Sequence, residues 1–545
     1  MTRQHYSALD PGLWAFVFAI ASGCVSEPAA PFASSTVDEQ PSLVVTLSSY
    51  FPPSELNGGW RKTTDPARIS ALGINAATLA KFGAYNMSLP YENFRTGVSG
   101  YDPSNKASVV IKNGWIVGEY YNQASAKTGM YYLASNGKTF AMMLLGKMVA
   151  EYPALGITLD TPLYDQRWLA QGFPLSDPRK ADITFRHLLG HASGIIPQVQ
   201  APIASGSLLF HPDWNFEPFT VGKDADFPAT ATLYYPPGEP DEYSKEDPYS
   251  SVGFNHLSLI FRNITGLEPS IYLRRKMLDP IGVGPMTYRT APGLKPYVWA
   301  TGGNNLAKAR DYARLAYLLL HEGTWADKQI FSPTWIRQFT TVAGYPNINS
   351  NAECGWGAQY PKDMYRIIGS GINIAFVVPS LDLVATLNGR TPNALRSEVT
   401  AEFLRRLFAS VTQTYVGCDG RVVNGTSSGA RSVASLQLID ADTDRSIRPI
   451  TDGMTITLAD LPTRNLNVQA VTAPSLVGSV RFSWDGTANY RTETQSPYAL
   501  AGDDRGNYRP WTPSVGTHVL TATPYAEAGV SGTPGTALTV RFTVR

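Results

Sequence analysis

Ser135-Asn136-Gly137-Lys138 sets a hydroxyl and an amine three residues apart. On a helix that spacing puts both side chains on one face. A serine hydroxyl is a weak nucleophile until a base within hydrogen-bond reach takes its proton, and a neutral lysine amine is such a base. Apolar surroundings strip solvation from the ammonium form and so favour the neutral one. Those surroundings follow at once: residues 139–150 include Phe140-Ala141-Met142-Met143-Leu144-Leu145, and a helix with so little polar face belongs inside a domain. Ser135 stands at its entrance, where the positive dipole end and free amides favour negative charge. The chemistry indicated is acyl transfer through a serine. Alone, S-x-x-K also fits a solvated serine and lysine, so the weight falls on what accompanies it.

Several further motifs follow in a fixed order. Ile183-Thr-Phe-Arg-His-Leu-Leu-Gly-His-Ala-Ser-Gly-Ile195 comes first, then Pro237-Gly238, then Tyr249-Ser250-Ser251-Val-Gly253-Phe-Asn-His-Leu257. A helical run over 307–323 and Gly369-Ser370-Gly371, ahead of an apolar strand over 372–379, complete the series. Over residues 58–412 this order resembles the serine β-lactamase and penicillin-binding-protein superfamily, in particular its class C-like esterase and D-alanyl-aminopeptidase branch. The resemblance implies that Ser135 is the nucleophile, Lys138 its base and Tyr249 the second proton-transfer residue. It also implies that the backbone amides of Ser135 and Ile372 bind the oxyanion, and that Ser251, Gly369, Ser370 and Gly371 line the substrate site, with no cofactor or metal.

Two departures narrow the substrate. Ser251 stands where the family carries Asn, and Gly369 where it carries Lys or His. A site without that fixed cation gains little from an anionic group. Carboxylic esters and neutral amides are therefore favoured as small-molecule substrates over anionic β-lactams. A D-amino-acid peptidase, a linear-amide hydrolase or a weak β-lactamase would use the same residues, and a non-catalytic envelope scaffold would merely retain the fold.

Local competitors fit these roles less well. Tyr243, in Glu242-Tyr243-Ser244-Lys245, lacks the Gly-aromatic sequence that follows Tyr249. His187 and His191 have i, i+4 spacing but no intervening Glu of the H-E-x-x-H kind, so they read as structural rather than metal-binding. Gly425-Thr-Ser-Ser-Gly429 is a literal G-x-S-x-G without the strand and helix that motif requires. Ser370 either contacts substrate or shapes the strand entry.

These residues need elements to hold them. Expected helices cover 75–85, 139–150, 183–189, 253–264, 307–321 and 398–409, and Asn113-Gly114 between two β-rich runs signals a hairpin. Strands over 372–378 and 381–387 close the domain. The expected class is α/β (α+β): a β-lactamase-like antiparallel sheet flanked by helices with a helical subdomain, followed by an all-β sandwich. Beyond a Gly/Ser-rich stretch, runs such as Leu466-Asn-Val-Gln-Ala-Val471 and Leu538-Thr-Val-Arg-Phe-Thr-Val544 alternate apolar and polar residues, as in an immunoglobulin-like sandwich.

At 545 residues the chain exceeds one ordinary core. The divisions expected are a leader over 1–24, a low-complexity linker over 25–57, the hydrolase domain over 58–415, a linker over 416–433 and the accessory sandwich over 434–545. With 45 basic and 44 acidic residues the chain offers no basic face for nucleic acid. Leu13-Trp-Ala-Phe-Val-Phe-Ala-Ile20 ahead of Ala21-Ser-Gly-Cys24 resembles a secretory signal ending at a lipoprotein-type cysteine, a run too short to span a bilayer. That layout implies an extracytoplasmic protein, with a membrane tether possible through Cys24. The spacing of Cys24, Cys354 and Cys418 matches no zinc ligand set, and whether Cys354 and Cys418 pair is left open, as is any partner of the sandwich.

Overall fold

The computed structural model describes residues 50–94, 99–197, 216–239, 248–288, 305–342, 344–423, 431–473, 477–504, 506–526 and 528–545. The leader over 1–24 with Cys24, most of the 25–57 linker, Tyr243 and Gly425–Gly429 lie outside the described residues. Two compact units emerge. One holds Asn86–Ser350 and Tyr365–Arg396 with the residues up to Lys62, and the other holds Thr63–Tyr85, Asn351–Met364 and Ser397–Arg545.

The first unit is built on a six-stranded antiparallel sheet. Its strands are β1 (Ala107–Lys112), β2 (Trp115–Tyr121), β3 (Ile348–Ser350), β4 (Tyr365–Gly369), β5 (Asn373–Val378) and β6 (Leu383–Leu387), in the order β2-β1-β6-β5-β4-β3. The Asn113-Gly114 turn joins β1 to β2 with φ of 49° and 72°, the left-handed pair that a two-residue hairpin demands. All residues of β1, β5 and β6 are buried, so these strands read as apolar runs rather than alternating ones.

Three helices matter for the site: α1 (Asn136–Glu151), α2 (Ser251–Thr265) and α3 (Ala309–Leu320). Helix α1 is buried nearly all round from Asn136 to Met148, as its apolar sequence requires. Each enclosed Leu or Met side chain contributes about 1.5–3 kcal/mol, which is what holds so polar a start to the helix in the interior. Helix α2 packs against α1, and α3 packs against β5 and β6. The helix Pro333–Thr340 leans on α1 through Trp335, whose indole N–H donates to the Met142 carbonyl at 2.9 Å.

Sequence reasoning placed Gly369-Ser370-Gly371 at the entry of a strand starting at Ile372. The structure moves them. Gly369 ends β4, a strand not anticipated, and residues 370–372 form the tight turn into β5. The short β4 sequence Tyr365-Arg-Ile-Ile-Gly369 is too apolar to alternate, so periodicity could not mark it.

In the second unit the alternating tail forms two sheets. One has the order Arg445–Ile450, Ser432–Asp440, Leu466–Ala473, Tyr498–Ala499. The other runs Thr455–Ile456, Leu538–Val544, Gly516–Tyr525, Ser479–Trp484, Thr487–Glu493. Leu436, Leu438, Val468 and Ala470 of the first sheet share a core with Val480, Phe482, Leu520 and Phe542 of the second. That is a β-sandwich, with alternate residues inward. Cys354 and Cys418, also in this unit, form a disulfide with a Cα–Cα distance of 5.6 Å.

Gly146 lies on α1 beneath Trp335, and a Cβ there would overlap the indole ring. Alanine raises helix propensity by about 1 kcal/mol over glycine, yet overpacking costs about 1–3 kcal/mol. Gly146→Ala is therefore expected to lower the thermal midpoint; a midpoint equal to or above the parent's would show that Trp335 yields.

Candidate active site

The strand Tyr131–Ala134 delivers the chain to Ser135, which caps α1. Ala134 adopts φ 48°, a left-handed conformation that a non-glycine residue keeps only when its surroundings impose it. Asn136 is what imposes it. Its Nδ2 donates to the carbonyls of Leu133 at 2.8 Å and Asn373 at 3.0 Å, and its Oδ1 accepts from the Tyr312 hydroxyl at 2.9 Å. Both ends of the amide are satisfied, so the turn before the helix is fixed to β5 and to α3.

From the first turn of α1, Lys138 Nζ donates to Ser135 Oγ at 3.4 Å. Lys138 has no exposed surface, whereas Ser135 is half-buried. The lysine nitrogen also lies over the rings of Tyr249 and Phe254, 4.9 and 5.7 Å from their centres. The structure thus brings together Ser135, Lys138 and Tyr249, three residues separated by up to 114 positions (249 − 135). Ser250 caps α2, its Oγ accepting from the Gly253 amide at 3.0 Å and donating to the Ile196 carbonyl at 2.9 Å, which fixes Tyr249 just outside the helix. Ser251 is buried in the first turn of α2.

Opposite Ser135 stands the end of β4. A Cβ on Gly369 would overlap the Leu133 carbonyl oxygen and lie 2.8 Å from Asn136 Nδ2 and 3.1 Å from the Ser135 nitrogen. No side chain fits there, so glycine at 369 is a condition of this backbone. The turn that follows is held by side chains from both directions. Ser370 Oγ accepts from Arg390 Nη1 at 3.0 Å and Asn393 Nδ2 at 2.9 Å, Asn393 Oδ1 accepts from the Gly371 amide at 3.0 Å, and Asn373 Nδ2 donates to the Ser370 carbonyl at 2.9 Å. Ile372 is held at φ 57°, a rare state for a β-branched residue. Among the described residues, neither the Ser135 nor the Ile372 amide meets an acceptor.

A buried cation lies beside the turn. Arg390, 2% exposed, pairs with Glu92 at 3.0 Å and lies 4.3 Å from the centre of the Phe94 ring. Its charge sits behind Ser370, already matched by a carboxylate. Arg390, Asn393 and Asn347 went unnoticed in the sequence because none belongs to a periodic run or a spaced motif.

His187 and His191 have separate surroundings. His187 closes the capping box of the helix Phe185–Leu189 with Thr184. His191 is buried against Tyr249, with ring centres 4.0 Å apart. Its Nδ1 accepts from the Ser250 amide at 2.9 Å and its Nε2 faces Asn347 Oδ1 at 3.1 Å. Burial, followed by the nearby Lys138 charge, holds its pKa down at about 3. Among the described residues no cluster of His, Cys, Asp and Glu could hold a metal ion.

An antiparallel sheet faced by helices, with a serine and a buried lysine at the head of an enclosed helix, defines a β-lactamase-like fold. The beta-lactamase family model matches residues 103–407, more than half of the chain, and the chain belongs to that family of hydrolases. A penicillin-binding protein homolog from Caulobacter crescentus is similar over 62% of this chain and 97% of its own, with 16% identity and a TM-score of 0.42. A D-stereospecific amidohydrolase from Streptomyces is similar over 61% and 98%, with 16% identity and a TM-score of 0.42. A family VIII carboxylesterase is similar over 61% and 97%, with 17% identity and a TM-score of 0.40. No curated protein matches the chain.

The buried imidazoles make stability depend on pH. His191 and His256 both have pKa values lowered from 6.5 to about 3, in each case by burial first and then by a lysine charge, Lys138 or Lys180. Below pH 6.5 the unfolded chain binds protons at these sites that the native chain refuses, so stability falls as pH drops towards 3. Each ring is expected to remove about 2 kcal/mol between pH 7.5 and 5. Urea midpoints measured across that range check this, and a flat profile would contradict it.

Proposed function

We propose that this chain is an extracytoplasmic serine hydrolase that cleaves carboxylic esters or neutral amides through an acyl-enzyme. The observation that carries the reading is the 3.4 Å approach of Lys138 Nζ to Ser135 Oγ at the head of a buried helix. As a neutral amine Lys138 takes the Ser135 proton while Oγ attacks the carbonyl carbon. The carbonyl π electrons move to oxygen, where the unengaged amides of Ser135 and Ile372 are suited to receive the charge. Tyr249 donates a proton to the leaving oxygen or nitrogen as that bond breaks, and the proton held by Lys138 restores the phenol. In the second half Tyr249 or Lys138 takes a proton from water, whose oxygen attacks the ester, and Ser135 leaves with a proton returned to it.

The substrate class is supported by what surrounds the turn. Position 369 admits no side chain, and the guanidinium of Arg390 is already paired with Glu92. An anionic substrate group would find little uncompensated charge there. Ser370, Gly371 and Ser251 are assigned to the walls of the substrate site. The extracytoplasmic setting is supported by the apolar leader over 13–20 and by the Cys354–Cys418 disulfide, since such bonds persist where the milieu is oxidising. Cys24 would then serve as the lipid attachment, and the β-sandwich as an accessory module.

Ser135→Ala is expected to reduce hydrolysis of a short p-nitrophenyl ester by about a thousandfold or more while the protein stays folded. Unchanged turnover would end the assignment. For the parent enzyme the p-nitrophenyl ester is expected to outrun both a D-alanyl amide and a chromogenic cephalosporin; a cephalosporin turned over fastest would reverse the substrate class.

A further inference from the structure

His191 performs none of the proton transfers above, yet the direction of its hydrogen bonds follows from one donor whose identity is not in doubt. The Ser250 backbone N–H lies 2.9 Å from His191 Nδ1, and a backbone amide only donates. Nδ1 is therefore the unprotonated nitrogen, and in the neutral ring Nε2 carries the hydrogen. Nε2 faces the Asn347 amide at 3.1 Å, so the atom it meets is the oxygen. That leaves the other end as the nitrogen, which donates to Tyr249 Oη at 3.2 Å and to the Ser135 carbonyl at 3.5 Å.

Nothing in this chain of bonds is able to turn over. The Asn347 backbone is held by Thr139 of α1, whose hydroxyl donates to the Asn347 carbonyl at 3.1 Å. The Tyr235 hydroxyl donates to the His191 carbonyl at 3.0 Å. The imidazole lies nearly parallel to the Tyr249 ring, at 20° and 4.0 Å, and the Phe254 ring packs on it at 5.0 Å. Lys138 and Tyr249 are the ionisable groups set about it.

We infer that Asn347, oriented by His191, is a positioning residue for Tyr249: it keeps a hydrogen-bond donor on the phenol oxygen and thereby commits the phenol's own proton elsewhere. This rests on reading Tyr249 as the proton-transfer residue of the site. A donor on the oxygen stabilises the negative charge that develops there as the proton leaves, and it does so at the transition state more than in the substrate complex. Loss of the donor should therefore appear in kcat and spare KM.

Asn347→Asp keeps an acceptor for His191 but removes the donor facing Tyr249. It is expected to lower kcat for the p-nitrophenyl ester about tenfold or more with KM within about twofold. His191→Ala is expected to match that loss, and the double variant to lose no more than either, since all three break one chain of bonds. Long-range proton–nitrogen spectra of the parent, with His191 assigned from the His191→Ala protein, should show a neutral ring protonated on Nε2 from pH 5 to 8. An Nδ1-protonated ring, a titration within that range, an unchanged kcat in Asn347→Asp, or a loss confined to KM would each overturn the inference. Should His191→Ala fail to fold, Asn347→Asp and the ring titration still decide. Fluorophosphonate labelling of Ser135 in the parent separates the two readings: labelling with no effect of Asn347→Asp defeats this inference alone, and no labelling defeats the serine mechanism while the spectra still judge the bond directions.

Discussion

A lysine without exposed surface, three residues after a half-buried serine, sets terms that the rest of the first unit meets. An amine in that position has lost its water, and its worth to the proposed reaction depends on how few alternatives it has. The apolar flank of α1 keeps solvent away, while Tyr249 and Phe254 cover the nitrogen with ring faces. Because α1 must be buried, the strand before it has to deliver Ser135 through a strained turn, and Ala134 takes a positive φ. Because that turn is strained, Asn136 has to brace it against β5. Because the brace draws the Leu133–Asn136 turn against the end of β4, position 369 has no room for a Cβ.

Asparagine does much of this bracing. Asn136, Asn347, Asn373 and Asn393 each use both ends of the amide, and three of them tie the 370–372 turn or its neighbours in place. A short amide that donates at one end and accepts at the other imposes direction as well as distance. Asn255, Asn305 and Asn388 offer a contrast, since they are fully buried and, among the described residues, neither end of any of them meets a partner. Nothing in the structure explains these three.

What could be read from the sequence was whatever repeats or is spaced along the chain. Helix α1 declared itself through the apolar run Phe140–Leu145, the first hairpin through Asn113-Gly114, and the sandwich through alternation in segments such as Leu538–Val544. Ser135, Lys138 and Tyr249 were legible because each sits in a motif of fixed spacing. The supports were not. Asn347 lies 98 residues from the tyrosine it touches and Arg390 lies 20 residues from the serine it touches, each in an irregular segment. Long-range hydrogen bonds leave no period, and β4 was missed because five largely apolar residues can belong to almost anything.

The disulfide acquires a meaning from the way the chain is routed. Cys354 and Cys418 both belong to the second unit, and between them the chain leaves that unit for Tyr365–Arg396 before returning. The covalent ring, with a sequence separation of 64, therefore encloses the whole excursion that carries Gly369, Ile372, Arg390 and Asn393. Oxidation shortens the tether at both ends of that excursion at once. During synthesis the ring cannot close until residue 418 has emerged, so residues 365–396 are complete before the bond that encloses them is able to form.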